Sequence, residues 1–369
     1  MNWEEELGRT INSVGELKGH LGISPGEEKL LERVSAIHPM RITRYYLSLI
    51  DKDNPSDPLR KLVVPSQDEL FLGGTYDTSG EKENTKRRGL QHKYAQTALV
   101  LSTNRCAAYC RFCFRKRLVG RSSDEVLSAF REAADYIREH EEIDNVLITG
   151  GDPFVLSNKI IRGFLGELAE IKHLSFVRFG TRVPVVLPQR ISQDSEFLEL
   201  LVRHSRKTRR IYVVTHFNHP REITRQSIDA VDALLGSKVI VNNQTVLLKG
   251  VNDNPKTLAE LMTGLVSIGV NPYYLFQCRP VRRVKTQFQV PFARGCAVVE
   301  SARKRLNGHS KRFKFAMSHR SGKIEILGVK GKFIYFKQHQ AKNPRKMGRI
   351  FKRKLDPKST WLDSQLRPY

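Results

Sequence analysis

The stretch "NRCAAYCRFCFRKR", residues 104–117, brings three of the chain's five cysteines within eight positions. Cys106, Cys110 and Cys113 have the spacing Cys-x3-Cys-x2-Cys and directly follow an apolar run that predicts a β-strand. A zinc site usually has four ligands, but no histidine lies between positions 93 and 139. Three thiolates leave one iron of a [4Fe–4S] cluster free of protein. The spacing therefore favours such a cluster, with a zinc site or three incidental buried thiols as the alternatives.

Basic side chains surround these cysteines. Positive charge favours the thiolate form of cysteine and offsets the negative charge of a metal cluster. We therefore expect this role for the neighbouring residues Arg105, Arg111, Arg115, Lys116 and Arg117.

The composition limits the class of protein. A chain of 369 residues with 40% hydrophobic residues can form one large domain with extensions. No apolar run is long enough to cross a bilayer, and the first ten residues, "MNWEEELGRT", do not resemble a secretion signal. We expect a cytoplasmic protein that does not bind membranes. The low cysteine count argues against a disulfide framework, and we interpret Cys278 and Cys296 as buried thiols.

From residue 96 onward, short apolar runs alternate with amphipathic segments of helical period. The six apolar runs are "TALVLS", "NVLITG", "SFVRFGT", "RIYVVTH", "VIVNNQTVLL" and "PYYLFQC". This alternation predicts an α/β fold with a parallel sheet. Polar residues end several runs, as at the catalytic edge of a β/α barrel, so we predict a partial (β/α)6 barrel. A doubly wound open sheet also fits, although no Gly-x-Gly-x-x-Gly motif follows the first strand.

Extensions flank the predicted barrel. We divide the chain into an N-terminal helical region with a connector (1–90), the barrel (91–305) and a small β-rich, basic extension (306–369). The N-terminal region contains amphipathic helices, and its connector, residues 72–94, reads as a loop. Residues 312–340 predict two or three antiparallel strands. The remaining tail is either disordered or docked through Ile350, Phe351 and Trp361.

Positive charge is concentrated in this extension. Residues 311–369 contain 17 lysines and arginines against three acidic residues, which is +14 of the chain's net +25. Such a segment attracts polyanions, so we expect nucleic acid or an acidic protein as a partner. A merely solubilising tail is the alternative.

The cysteine spacing resembles that of the radical S-adenosylmethionine (SAM) superfamily. Further segments, in the same order, resemble the lysine 2,3-aminomutase family over roughly residues 88 to 290. They are "CRFCFRKRLVG", "LITGGDPFVLS", "RFGTRVPVVLPQRI", "VVTHFNHPREIT", "NQTVLLKGVND" and "PYYLFQC".

The resemblance implies cofactors and roles. It implies a [4Fe–4S] cluster on Cys106, Cys110 and Cys113, a SAM molecule on the open iron, and an electron donor such as a flavodoxin or ferredoxin. It also implies that Arg115 binds the substrate carboxylate, as a guanidinium can do with two parallel hydrogen bonds. The residues that it implies for SAM are Gly150, Gly151, Asp152, His216 and Gln244.

Departures from the family concern pyridoxal phosphate (PLP). Family members attach PLP to a lysine after a glycine-rich run, and this chain has no such run. We interpret the nearby Lys311, Lys314 and Lys323 as solvated charges. The family's arginine nine residues before the first cysteine is Thr97 here, whereas Tyr94 is retained. The sequence therefore assigns no PLP lysine and favours PLP-independent radical chemistry slightly over an amino shift.

The substrate side differs as well. The lysine-specific enzymes have an aspartate after the cysteine of "PYYLFQC", and this chain has Arg279. A cation at that position repels the ε-ammonium of lysine, so we expect an anionic, amino-acid-like substrate. Two further hypotheses stay open: a radical SAM enzyme that modifies a macromolecule docked on the basic tail, and a non-catalytic cluster-binding protein.

Overall fold

A computed structural model describes residues 2–369, and a continuous β-sheet runs through most of it. The strands pair in chain order from β1 to β12. They are β1 (Thr85–Arg87), β2 (Leu90–Tyr94), β3 (Thr97–Thr103), β4 (Asn145–Gly150), β5 (Phe176–Gly180), β6 (Arg210–Thr215), β7 (Ile240–Leu247), β8 (Asn271–Gln277), β9 (Lys314–His319), β10 (Gly322–Lys330), β11 (Phe333–Ala341) and β12 (Ile350–Lys354).

The α-helices fall into three groups along the chain. Before the sheet lie α1 (Trp3–Gly8), α2 (Val14–Lys18), α3 (Pro25–Ile37), α4 (Arg44–Leu47), α5 (Pro58–Val63) and α6 (Glu81–Asn84). Between β3 and β8 lie α7 (Phe130–Glu139), α8 (Asn158–Ala169), α9 (Val183–Val186), α10 (Gln189–Ser192), α11 (Ser195–His204), α12 (Arg225–Gly236) and α13 (Pro255–Ser267). After β8 come α14 (Lys285–Phe288) and α15 (Phe292–Arg303).

The parallel part of the sheet confirms the predicted β/α organisation. All six predicted runs form strands, β3 to β8, and each pairs in parallel with the next. The next strand, β9, also pairs in parallel with β8, at Tyr274 opposite Lys314. The antiparallel strands expected from residue 312 are confirmed, because β9 pairs antiparallel with β10, but the parallel pairing of β9 with β8 was not predicted. The connection through α15 is long enough to return the chain to the same edge, as a parallel crossover requires.

The strands of the barrel have two faces of different character. Along β7, buried residues alternate with half-buried ones, because side chains of a strand point to opposite faces in turn. The buried set, such as Val241 and Leu247, packs under the outer helices. The half-buried set faces the other way and includes the polar Asn242 and Gln244 beside the apolar Ile240 and Val246. Gln244 thus lies on the face of β7 opposite to Val241 and Leu247.

The connector is more ordered than the sequence indicates. We predicted a loop over 72–94, but residues 81–94 form α6, β1 and β2, and β2 pairs antiparallel with β3. The N-terminal helix predicted at 27–37 is present as α3, whereas of residues 40–50 only α4 is helical. Because the sheet crosses residues 90 and 305 without a break in pairing order, the division into three segments stays a prediction.

The C-terminal tail is ordered and partly buried. After β9, strands β10, β11 and β12 pair antiparallel. Trp361 is 2% exposed, in agreement with docking of the tail, but Ile350 is 60% exposed. In residues 2–369, no helix has both the length and the apolar character that crossing a bilayer requires.

Candidate active site

The cysteine loop follows β3 and is fixed from both sides. Its backbone bonds to the N-terminal region through Tyr109 N–H, which donates to Arg41 O at 2.9 Å, and Arg111 N–H, which donates to Leu62 O at 2.8 Å. On the other side, Asp152 N–H donates to Arg105 O at 2.8 Å. The loop is therefore held between the N-terminal helices and the end of β4.

A buried arginine contacts the cysteines from β5. The Arg182 guanidinium donates to Cys110 Sγ at 2.9 Å and to Glu222 Oε1 at 2.6 Å. Tyr46 OH also donates to Glu222 Oε1, at 2.7 Å, and Arg182 lies over the rings of Tyr46 and Phe112. This arrangement points a fixed cation at one thiol of the loop.

The basic residues inside the cysteine motif mainly serve other contacts. Arg111 and Lys116 both pair with Glu69 at 2.6 Å. Burial raises the pKa of this carboxylate, but the two cations lower it by more, so the pKa falls to about 2. Arg115 and Arg117 pair with Glu81, at 3.1 and 2.6 Å. Arg111, Lys116 and Arg117 are thus paired with carboxylates of the N-terminal region, although the charges of Arg115 and Lys116 still act to lower the pKa of Cys113. The close cation is Arg182.

The three thiols fit an iron–sulfur cluster in their chemistry. Burial raises the pKa of Cys113 to about 11 and that of Cys106 well above its ordinary value, so a bound metal would have to supply the stabilisation of the thiolates. Within residues 2–369, no three His, Cys, Asp or Glu side chains are grouped to hold a single metal ion. In a [4Fe–4S] cluster each cysteine binds its own iron. Cys106, Cys110 and Cys113 would hold that cluster, and Arg182 would hydrogen-bond to it.

The Gly-Gly-Asp segment after β4 packs against the cysteine loop. A Cβ on Gly151 would lie 2.2 Å from Arg105 O, and one on Gly150 would lie 2.6 Å from Thr103 O. Asp152 is buried, and its carboxylate accepts from Thr181 OH at 2.7 Å and Arg182 N–H at 2.7 Å. These residues bring β4, β5 and the cysteine loop together. Their contact with SAM stays a prediction.

His216 directly follows β6, Gln244 lies within the neighbouring strand β7, and both have polar atoms without a partner among the described residues. His216 Nε2 is buried without a hydrogen-bond partner, and Gln244 has no side-chain hydrogen bond to residues 2–369. Burial, then repulsion from Arg182, lowers the pKa of His216 to about 3, so this imidazole is neutral. Its ring meets Phe112 of the cysteine loop at 5.5 Å. Both side chains are available to a polar ligand beside the loop, as expected of SAM contacts.

Two guanidinium groups share the ring of Phe114. Arg115 lies 4.5 Å from the ring centroid and Arg279 4.0 Å. Arg115 is 4% exposed and donates to Glu81 Oε1 and Thr149 Oγ1, at 3.2 and 3.3 Å. Burial, with repulsion from Arg115, lowers the pKa of Arg279 to about 10. Arg115 and Arg279 thus both contact the ring of Phe114.

Lys323 is not the solvated charge that the sequence indicates. It is half-buried, and its ammonium lies 4.9 Å from the Tyr274 ring and 5.9 Å from the Tyr94 ring. No hydrogen bond or ion pair ties Lys323 Nζ to another described residue, 2–369. Burial, then repulsion from Arg178 and Lys93, lowers its pKa to about 7. By contrast, Lys311 is exposed and Lys314 lies 3.7 Å from Glu325.

Lys323 and its neighbours form a group that we call the cationic cluster: Lys93, Arg115, Arg178, Arg279 and Lys323. Three acidic residues act on it, Glu81, Asp77 and Asp144. Lys93 is held by carbonyl groups of Ser79 and His319, at 3.0 and 2.7 Å, and burial together with Arg279 lowers its pKa to about 7. The excess of positive charge favours binding of anions.

The site residues that the sequence did not predict come from distant parts of the chain. Arg182 lies 72 positions after Cys110, and Glu81 lies in the segment that we interpreted as a loop. The segment "RFGTRVPVVLPQRI" was noted, but nothing in its spacing indicates which arginine reaches the cysteines. For Lys323, "SGK" in place of a glycine-rich run was the available signal.

Comparisons with known proteins agree with this arrangement. The family model described as the radical SAM superfamily matches residues 100–262. A protein of Aquifex aeolicus, provisionally named an L-lysine 2,3-aminomutase, is 41% identical over 97% of this chain and 96% of its own length. The L-lysine 2,3-aminomutase of Clostridium subterminale is 37% identical over 84% of this chain and 73% of its own.

A third relative differs in its named substrate. The glutamate 2,3-aminomutase of Clostridioides difficile is 36% identical over 82% of this chain and 70% of its own length. A solved radical SAM methyltransferase from Sphaerobacter thermophilus is similar over 62% of this chain and 68% of its own, with a TM-score of 0.41 at 17% identity. With matches at 37 to 41% identity over most of its length, the chain belongs to the lysine 2,3-aminomutase family of the radical SAM superfamily.

Proposed function

We propose that this enzyme is a radical SAM 2,3-aminomutase whose substrate is an acidic amino acid or a similar anionic molecule. When bound, the cluster and SAM supply a hydrogen-abstracting 5′-deoxyadenosyl radical, and PLP supplies a carrier for the migrating nitrogen. A low-potential flavodoxin or ferredoxin would supply the electron. Membership of an enzyme family sets aside the hypothesis of a non-catalytic cluster-binding protein.

The observation that carries this proposal is the charge of the cationic cluster. Its five cationic side chains have three carboxylates to balance them, Glu81, Asp77 and Asp144. Repulsion among the cations adds to burial in lowering the pKa of Lys93 and Lys323 to about 7. Bound anions relieve this repulsion. A substrate with two carboxylates, together with the phosphate of PLP, supplies that charge, whereas lysine brings a further ammonium group.

Within the cationic cluster, Arg115 and Arg279 are suited to a dicarboxylate. Both contact the ring of Phe114, and we propose that one binds the α-carboxylate and the other a second carboxylate. Glu81 holds Arg115 from the side of the connector and fixes the direction of its free N–H groups. A relative of 36% identity is named for glutamate, which supports this class of substrate.

Lys323 has the properties required to attach PLP. A lysine must lose its proton before its nitrogen can form a bond to a carbonyl carbon, and a pKa of about 7 makes this possible at neutral pH. Arg178 lies close enough to lower this pKa, and its Nε is buried without a partner. We propose that Lys323 holds PLP and that Arg178 and Tyr94 lie beside it.

The cluster is tested by iron content. Anaerobically reconstituted protein is expected to bind about four irons and to release 5′-deoxyadenosine from SAM with a strong reductant. Cys106→Ala, Cys110→Ala and Cys113→Ala should each lose the cluster, whereas Cys296→Ala, at a buried thiol elsewhere, should keep it. Full iron content in any of the first three variants would reject the assignment.

The substrate class is tested by reversing one charge. The loaded enzyme should convert glutamate or aspartate and leave lysine unchanged. Arg279→Asp should lower kcat/KM for the dicarboxylate by about 100-fold or more, since opposed like charges cost several kcal/mol. Arg282→Asp makes the same charge change at an exposed position and should have little effect. Preference for lysine in the unaltered enzyme would contradict the proposal.

PLP attachment is tested on the purified chain without turnover. Borohydride reduction in the presence of PLP should leave a pyridoxyl group on the peptide that contains Lys323. Lys323→Ala should abolish this addition, and Lys314→Ala should not. If the label is absent or spreads over surface lysines, the amino shift is rejected and PLP-independent radical chemistry, including modification of a macromolecule, becomes the better assignment.

A further inference from the structure

The C-terminal strands form a second, exposed surface outside the barrel. The pairing of β10, β11 and β12 fixes which side chains share a face. Phe333 lies between Lys330 and Lys354, and Tyr335 lies between Gly328 and Lys352. Phe333 is therefore flanked by a lysine on both neighbouring strands, and Tyr335 by a lysine on β12 and a glycine on β10. We call Lys330, Phe333, Tyr335, Lys352 and Lys354 the sheet face.

The rings of the sheet face are open to solvent. Phe333 is 38% exposed, and Tyr335 is half-buried. Gly328, opposite Tyr335, has no side chain, and a Cβ there would meet no atom within 4 Å. Residues two apart on a strand are spaced by about 6.6 Å, so both rings point to the same side with a gap between them.

The charge of the sheet face has no internal counterpart. Glu325 is the only acidic residue between positions 321 and 355, and it lies 3.7 Å from Lys314. Among residues 2–369, no carboxylate pairs with Lys330, Lys352 or Lys354. Lys352 instead lies 4.6 Å from the Phe333 ring centroid. The ammonium groups remain available to an external anion.

We propose that the sheet face binds single-stranded nucleic acid. Exposed aromatic rings on a sheet stack with unpaired bases, and lysines beside them contact the phosphates. An acidic protein would use the lysines but would leave the rings without a specific role, and for this reason nucleic acid is the better occupant. The proposal does not depend on the substrate of the barrel. It replaces the expectation of an undefined polyanion on residues 311–369 with a defined surface.

Fluorescence anisotropy with a labelled 12-nucleotide oligouridylate tests the proposal on the full chain. We expect micromolar affinity at low salt that weakens as salt rises. Phe333→Ala with Tyr335→Ala should weaken binding about tenfold or more, because each stacked base is lost. Lys352→Gln with Lys354→Gln should reduce the slope of log K against log salt by about 1.4, since each phosphate contact on a single strand contributes about 0.7.

Control variants distinguish binding at the sheet face from attraction by the overall positive charge of the protein. Lys159→Gln with Lys172→Gln removes the same charge at exposed positions away from the sheet face and should change affinity less than about twofold. If the aromatic double variant is poorly folded by circular dichroism, Phe333→Ala alone replaces it. Unchanged affinity in the aromatic variants, or equal affinity for poly-glutamate and oligouridylate, would overturn the proposal and assign the surface to an acidic protein.

Discussion

At the scale of single residues, like charges are brought together in the barrel. Lys323 lacks a hydrogen bond to any described residue and lies near Arg178, Lys93 and Arg279. Four cations in a partly desolvated space cost free energy unless an anion joins them. Such local strain is typical of ligand sites, and it is the reason that the solvated interpretation of Lys323 failed.

The reactivity of Lys323 should therefore change near neutral pH. Its pKa of about 7 lies below the ordinary 10.5, so the neutral amine becomes dominant as pH rises through 7. Borohydride trapping with PLP should reach half its maximum near pH 7 and level off by about pH 8.5. Arg178→Gln removes a repelling cation and should move the midpoint upward. A yield that rises tenfold per pH unit up to pH 9.5 would identify an ordinary lysine.

Arg182 should set the potential of the cluster as a positioning residue. Its N–H group donates to Cys110 Sγ, and a hydrogen bond to sulfur stabilises the more negative, reduced cluster. Arg182→Gln should therefore lower the midpoint potential by some tens of millivolts at full iron content, and Glu222→Gln, which loosens Arg182, should lower it less. Redox titration followed by electron paramagnetic resonance measures this shift. Equal potentials in all three proteins would show that the hydrogen bond has no such role.

At the scale of elements, the sequence predicts what is local and misses what depends on pairing. The strands β3 to β8 follow from apolar runs, and the amphipathic period gives helices such as α8 and α13. The strands of the connector were not predicted, because the residues of β1 and β2 are mostly polar and become strands only through pairing that leads to β3. In the same way, the direction of β9 depends on its partner β8 rather than on its own residues.

The turn between β9 and β10 positions Lys323 and should tolerate no side chain at Gly322. Gly322 has φ +148°, and a Cβ there would lie 2.0 Å from Gln340 O on β11. Gly322→Ala should lower the free energy of unfolding by about 3 kcal/mol and abolish pyridoxyl labelling of Lys323. Gly331→Ala, at φ +57° with no atom within 4 Å, should cost about 1 kcal/mol. Urea denaturation compares the two, and equal midpoints would contradict the role of the clash.

At the scale of the whole molecule, both the N-terminal and the C-terminal extension are fixed to the barrel by specific contacts. On the N-terminal side, Glu69 and Glu81 hold the cysteine loop through buried ion pairs. On the C-terminal side, Phe292 N–H donates to Ser359 O at 2.9 Å, and Gln277 Nε2 donates to Thr360 O at 3.1 Å. Sequence composition marks both segments as polar and the C-terminal one as basic, so it predicts their surface but not the few contacts that fix them. Removal of the tail would therefore test stability rather than binding.

Substitution of Trp361 measures how far the stability of the protein depends on the docked tail. It is 2% exposed beside Leu362 and the ring of His319, 6.5 Å away, so its removal leaves a cavity against the barrel. Trp361→Ala should lower the free energy of unfolding by about 3–5 kcal/mol in a single cooperative transition. Tyr369→Ala, at an aromatic side chain that is 48% exposed, should cost less than about 1 kcal/mol. If Trp361→Ala unfolds at the same urea concentration as the unaltered protein, the tail does not contribute to the stability of the barrel. In that case the sheet face can be deleted without loss of the active site.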